Sequence, residues 1–182
     1  MGKRLLIVGA GSYALLAYEI ACDMGEFERI DFVDDCKEIS PTGGRIVGKS
    51  SKLAKLAKEY TDVIVAIGSP EIRLRLLDQI RKETALRIAT LVSPRAYIAP
   101  SAKIGDGCII EPFAAVHTLC KIQSGCIISA GAVINHESVC EAGVHVDCNA
   151  TVPGYTTVPA GAKIPCGTVY ADRISTRTEP LH

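Results

Sequence analysis

The sequence predicts two joined folds: an α/β unit over residues 1–91, then a parallel β-helix over residues 92–170, with a tail at 171–182. Three observations predict them. Strand-like and helix-like segments alternate through the first ninety residues, which implies a parallel sheet with right-handed crossovers. Stepping by six from Val92, every residue to Ile164 is aliphatic except Cys140, itself a small hydrophobe. Stepping by six from Ala96 to Thr168, every residue is small or β-branched. A period of six fits neither a helix stripe nor an alternating strand. It fits a coil in which each hexad is one short strand and a corner.

The α/β elements follow in order. "KRLLIVGAGSYALLAYEIA" reads as a buried strand, a glycine turn and a helix. "RIDFVDD" is a second strand ending in two carboxylates. "SSKLAKLAKEY" predicts a short amphipathic helix capped by Ser50 or Ser51. "TDVIVAIGS" is a third strand, and "PEIRLRLLDQIRKE" a helix with Pro70 in its first turn. "RIATLV" is a fourth strand that feeds the repeat.

Composition excludes several classes of function. The 182 residues carry 20 basic and 20 acidic side chains, with no basic tract for nucleic acid and no acidic tail. No apolar run is long enough to insert in a membrane, and the start lacks the pattern of a signal peptide. A cytoplasmic protein is expected. The eight cysteines include no C-x-x-C pair. Cys108, Cys120, Cys126 and Cys140 fall in the interior columns and read as core filler. Cys148 and Cys166, 18 residues apart, stack on one face. That spacing allows a disulfide, against which a cytosolic setting argues. No metal site is expected: His117, His136 and His145 supply three imidazoles, but their spacing matches no zinc pattern of this repeat, and His117 reads as a surface residue.

Two places can carry chemistry. The turn Gly9-Ala10-Gly11-Ser12-Tyr13-Ala14 matches G-x-G-x-x-A between a strand and a helix. Its backbone N–H groups can meet a phosphate at the helix N-terminus, and Asp34 follows where a carboxylate can bond ribose hydroxyls. The alternative is a tight packing turn. The hexads begin where a second nucleotide-binding half would stand, so the site is mononucleotide-sized and NAD is not expected. The second place is "VINHES" at 133–138, which sets Asn135, His136 and Glu137 together inside an apolar repeat. The alternative there is a solvated corner with no role.

The Gly9–Ala14 turn, "FVDD" at 32–35, "AIGSPEIR" at 66–73 and "LVSPRAYIAPSAKIG" running into hexads together resemble one family. It is that of the nucleotide-sugar O- and N-acetyltransferases of the sialic-acid and bacillosamine type, within the hexapeptide-repeat acyltransferases. The resemblance spans residues 4 to about 160. It implies a Rossmann-like domain joined to a left-handed β-helix with three hexads per triangular coil. It further implies a homotrimer with active sites between subunits, a nucleotide-sugar substrate on the N-terminal domain, and acetyl-CoA along the β-helix. Carried over by position, Gly9, Gly11, Ser12, Asp34, Asp35, Gly68 and Arg73 lie in or near the nucleotide-sugar site. His136 is the general base and Glu137 its orienting partner. His145 is on the acyl-donor side, and the Gly154 N–H bonds the thioester carbonyl. Only about two coils follow His136, so a non-catalytic nucleotide-sugar-binding or scaffold protein remains the alternative.

Overall fold

The structure is a computed structural model that describes residues 2–44 and 46–171. Of the tail at 171–182, residues 172–182 lie outside the described residues.

The N-terminal sheet has the order β2-β1-β3-β4, with all strands parallel. Its strands are β1 (Lys3–Val8), β2 (Phe27–Val33), β3 (Asp62–Val65) and β4 (Arg87–Ile88). β1 is central, and its Leu5, Leu6 and Ile7 are fully buried. A parallel strand covered on both faces needs this unbroken apolar run. Helix α1 (Ser12–Met24) buries Ala14, Ala17, Ile20 and Ala21 and ends at Gly25 in a left-handed cap. Helix α3 (Pro70–Glu83) begins at Ser69, whose hydroxyl accepts the Ile72 N–H at 3.4 Å.

Two expectations are corrected. "SSKLAKLAKEY" is a 3₁₀ turn at Ser50–Lys52 and one short helix, α2 (Leu53–Leu56), in which only Leu53 is buried. Ser50 does not cap it. Its N–H and hydroxyl go to the Asp35 carboxylate at 2.8 and 2.7 Å. "RIATLV" is not one strand. β4 closes the first sheet, and β5 (Leu91–Val92) pairs with β8 (Ile109–Ile110) as the first rung of the second fold.

The two-residue strands that follow are β6 (Tyr97–Ile98), β7 (Lys103–Ile104), β9 (Ala115–Val116), β10 (Lys121–Ile122), β11 (Ile127–Ile128), β12 (Val133–Ile134), β13 (Val139–Cys140), β14 (His145–Val146), β15 (Thr151–Val152), β16 (Thr157–Val158) and β17 (Lys163–Ile164). With β5 and β8 they stack into three parallel sheets: β5-β8-β11-β14-β17, β6-β9-β12-β15 and β7-β10-β13-β16. Partners lie 18 residues apart, as in Ile110↔Ile128 and Ile128↔Val146. The three sheets are the walls of a triangular prism, the left-handed β-helix. Ile110, Ile128, Val146 and their column mates from Val116 to Ile164 fill its interior, buried, while Val92, Ile98 and Ile104 of the first coil are partly buried. The column cysteines do more than fill space. Thiols of Cys108, Cys120 and Cys126 donate to the carbonyls of Gln123, Asn135 and Glu141 at 3.1, 2.9 and 3.1 Å. Ser138 donates to Pro153 in the same way at 2.7 Å. The carbonyls of Gln123, Asn135 and Pro153 take no other bond among the described residues, so a buried alanine would leave them bare, whereas that of Glu141 also accepts the Val144 N–H at 3.2 Å.

A third column becomes visible in the backbone. Every sixth residue from Gly107 to Gly167 has φ between 55° and 73°. Each is the second residue of a corner turn. The stacking interval sorts them into three corners. The first is Gly107, Gly125, Gly143 and Gly161; the second is Phe113, Gly131, Asn149 and Gly167; the third is Leu119, Glu137 and Tyr155. The all-glycine corner lies under α3. A Cβ at Gly125 would stand 2.7 Å from Leu77, and one at Gly143 2.7 Å from Leu74.

Candidate active site

His136 and Glu137 are the turn residues of the third corner, between β12 (Val133–Ile134) and β13 (Val139–Cys140). Asn135 has a local task there: its side-chain oxygen accepts the His136 N–H at 2.8 Å. The His136 side chain is half exposed. One rung on, Gly154 and Tyr155 occupy the same corner. A Cβ at Gly154 would lie 3.0 Å from both Cε1 and Nε2 of His136. The imidazole is therefore seated over the glycine backbone, with Nε2 toward it. Nδ1 faces the Glu137 carboxylate at 3.9 Å, too far for a direct hydrogen bond. The Tyr155 ring closes the side, edge-on, with centroids 4.9 Å apart.

The backbone N–H of Gly154 is uncapped among the described residues, like those of Thr118, Ser124 and Cys166, and Gly154 lies against the His136 ring. Other corner amides are capped by side chains: Ala130 by Glu111, His136 by Asn135, Cys148 by Asp147 and Ala160 by Glu141. Where Asn135 and Asp147 precede their corners, Pro153 precedes Gly154 and offers no acceptor side chain. No acceptor among the described residues takes this N–H, which makes it a donor beside Nε2. On the neighbouring wall, a cleft of ≈ 330 Å³ is lined by Ser101, Lys103, Leu119, Lys121, Glu137 and Val139.

His145 lies elsewhere, on β14 (His145–Val146), at the seam between the two folds and 1 % exposed. Its Nε2 is 3.0 Å from the Tyr13 hydroxyl of α1 and 3.3 Å from the Ser129 hydroxyl. Its Nδ1 is buried without a partner among the described residues. Burial, reinforced by nearby Lys163, pushes its pKa down to about 4, so the ring is neutral. Glu111, also buried, accepts the Ala130 N–H at 2.9 Å, and its carboxyl is held above its ordinary range by burial. Tyr13, Ser129, Glu111 and Tyr155 had no signal in the sequence, because each acts through a residue one or more rungs or a whole domain away.

The glycine turn divides in two. Gly9 is buried at φ 112°, and a Cβ there would meet the Ala66 carbonyl at 3.0 Å, so it serves packing. Gly11 and Ser12 are exposed, and a Cβ at Gly11 meets nothing within 4 Å. They form an open N-terminus on α1, with Gly11 as its uncapped first position. Asp34 faces inward to this turn. It accepts N–H groups of Ala10, Cys36 and Lys37 at 2.8, 2.9 and 2.9 Å. Burial raises its pKa, but these three bonds outweigh it and hold the carboxyl below its usual range. Lys37 completes the loop by donating to the Ala10 carbonyl at 2.8 Å.

Gly68 packs against Tyr13; a Cβ there would lie 3.2 Å from the ring. Arg73 is fully buried, and its guanidinium is taken up by backbone carbonyls. Its Nε donates to Gly125 O at 2.6 Å and Nη2 to Gly143 O at 2.8 Å. Its Nη1 donates to Ile67 O and Gly68 O at 2.7 and 3.0 Å. It ties the Ile67–Gly68 loop to the glycine corner. Burial lowers its pKa. Among the described residues, no cluster of three or more His, Cys, Asp or Glu can hold a metal, and no helix is long and apolar enough to cross a membrane.

Comparison with known proteins agrees with both halves. The PglD N-terminal domain family matches residues 4–80, and the bacterial transferase hexapeptide family (six repeats) matches residues 101–136. No curated protein matches the sequence. Among solved structures, the acetyltransferase domain of PglB from Neisseria gonorrhoeae, in complex with acetyl coenzyme A, superimposes with a TM-score of 0.88 at 27% identity. That match covers 93% of this chain and 82% of the other. PerB from Caulobacter crescentus, in complex with CoA and GDP-perosamine, has a TM-score of 0.63 at 20% identity over 94% and 92% of the two chains. WeeI from Acinetobacter baumannii has a TM-score of 0.70 at 16% identity over 92% and 88%. With both halves matched in the same order, the chain joins a PglD-type N-terminal domain to a hexapeptide-repeat transferase domain and is similar over nearly its whole length to the acetyltransferase domain of PglB.

Proposed function

We propose that the protein transfers the acetyl group of acetyl-CoA to an amino or hydroxyl group of a nucleotide-linked sugar. The observation that carries this reading is the third corner: an exposed imidazole whose Nε2 rests over Gly154, beside that residue's uncapped N–H. A base and an oxyanion donor on one spot are what acyl transfer requires. His136 Nε2 takes the proton as the acceptor nitrogen or oxygen attacks the thioester carbon. The Gly154 N–H receives the charge that develops on the carbonyl oxygen. When the carbon–sulfur bond breaks, the proton on His136 passes to the leaving thiolate. Glu137, on the Nδ1 side, stabilises the imidazolium formed between these steps. The nucleotide-sugar phosphates belong at the open start of α1, on the exposed Gly11–Ser12 edge, where N–H groups and helix dipole favour anions. Asp34, Asp35, Gly9, Gly68 and Arg73 shape that edge from behind, and His145 with Tyr13 supports the acyl-donor side across the seam.

A homotrimer completes the site in this reading. Tyr97, Phe113, Leu119 and Tyr155 are large, exposed apolar side chains on the prism away from α3. Such a surface suits closed three-fold contact. Light scattering that returns a monomer at micromolar concentration would remove the shared site.

Incubation with acetyl-CoA and UDP- or GDP-linked amino sugars tests the reaction through release of CoA thiol. Turnover with at least one sugar nucleotide is expected. Protein whose melting temperature rises with a sugar nucleotide, yet which neither turns over nor binds acetyl-CoA, would be a binding protein instead.

A further inference from the structure

One side chain at the third corner, given so far only a place in the exposed apolar surface, is held at a cost. Tyr155 has φ 58°, in the left-handed region that bulky side chains avoid. The same column accepts residues that adopt this conformation with less strain, at Asn149 and Gly161. Burial does not explain the choice, because Tyr155 is 73% exposed. Local strain at a place where cheaper residues fit points to what the side chain does.

Its contacts all lead to His136. The two rings meet edge-on at 88° with centroids 4.9 Å apart. The Tyr155 N–H donates to the His136 carbonyl at 3.1 Å. The neighbouring Glu137 carboxylate raises the pKa of the Tyr155 phenol. The imidazole itself receives no hydrogen bond from the described residues, and Glu137 stands 3.9 Å from Nδ1. Something other than hydrogen bonding must therefore fix the ring. Gly154 supplies the seat and Tyr155 the side wall.

We propose that Tyr155 is a positioning residue for His136: its ring, edge-on to the imidazole, keeps that imidazole over Gly154. The kinetic part of the test rests on the acetyl-transfer reading; the chemical part does not. Tyr155→Asn removes ring and phenol while suiting the left-handed backbone. It is expected to lower kcat about tenfold, below the roughly 10²- to 10⁴-fold of losing a general base. The KM for the sugar nucleotide stays near the parent value, and the melting temperature holds or rises. Tyr155→Phe keeps the ring and stays near the parent. On ligand-free protein, carbethoxylation by diethyl pyrocarbonate, read by mass spectrometry, reports access to the His136 ring without turnover. His136 reacts faster in Tyr155→Asn than in the parent, while His117 is unchanged. Equal His136 reactivity in parent and Tyr155→Asn overturns the proposal, as does a kcat that falls only in step with the melting temperature. A parent without turnover refutes acetyl transfer and leaves the reactivity comparison to decide the role of Tyr155.

Discussion

The corner beneath α3 and the corner that bears His136 come from the same six-residue repeat and the same left-handed turn, yet their side chains are opposite. One is glycine at every rung, Gly107, Gly125, Gly143 and Gly161; the other has none, with Leu119, Glu137 and Tyr155 in that place. At the first, the missing side chains let Leu74 and Leu77 touch the backbone, and let Arg73 reach the carbonyls of Gly125 and Gly143. At the second, three side chains are held in a conformation they disfavour, around one half-exposed imidazole. The first corner spends its conformational freedom on stability and domain docking. The second accepts strain to present chemistry. The contrast teaches that glycine in this repeat is not required by the turn itself, since the turn forms without it; glycine is required by what packs on it.

The comparison can be broken first at the chemical corner. His136→Ala should lower kcat by about 10²- to 10⁴-fold, with an unchanged melting temperature, because the ring is half exposed. Steady-state assays and a thermal melt on the same preparation check both halves of that statement. At the glycine corner the signs reverse. Arg73→Met leaves buried carbonyls of Gly125 and Gly143 unpaired, at about 1–3 kcal/mol each, so roughly 2–6 kcal/mol of stability should go. Urea unfolding would read this as a lower midpoint with an unchanged slope. A parent-like midpoint would mean that α3 docks without its clasp.

Acid probes the seam beside that corner. Folded His145 titrates at about 4, below its ordinary 6.5. Between those values the unfolded chain holds a proton that the folded chain does not. The stability present above pH 6.5 is therefore lost progressively as pH falls toward 4, by on the order of 3 kcal/mol. His145→Gln should flatten this part of the urea-midpoint profile; an unchanged slope would assign the acid sensitivity to another group. The smallest effect is expected from Gly154→Ala. The backbone there is not in the left-handed region, and the added methyl meets only the His136 ring and carbonyl. A drop in kcat of about tenfold, or about 1.4 kcal/mol of barrier, should come with little change in melting temperature. If stability falls instead, Gly154 belongs with the docking glycines and not with the site.

Much of this was legible in the amino-acid order because a prism interior tolerates few exceptions. The Val92–Ile164 column must be apolar at every rung, so a step of six exposes it directly. The corner column was not legible, because Gly, Phe, Leu, Glu, Asn and Tyr share no chemistry; only their φ angles unite them. The break between β4 and β5 was hidden for a similar reason, as both lie in one apolar run. At the candidate site, His136, Glu137 and Gly154 could be picked out by their offsets. The pairing of Tyr13 with His145 could not, since 132 residues separate them and the contact depends on how two folds dock. Nor could the inward direction of Asp34 and Arg73, whose residue types suit a ligand as well as a carbonyl or an amide.

Stacking at 18-residue intervals also sets how this chain can change length. Six residues inserted before His136 keep every interior column in phase, so the prism still closes. Each later residue, however, moves one corner on, and His136 arrives on the face beneath α3. An insertion of 18 residues adds a storey and returns every side chain to its own corner. Drift by single hexads is thus silent to folding and ruinous to the candidate site, and lineages of such chains should lengthen or shorten by whole storeys below the His136 rung.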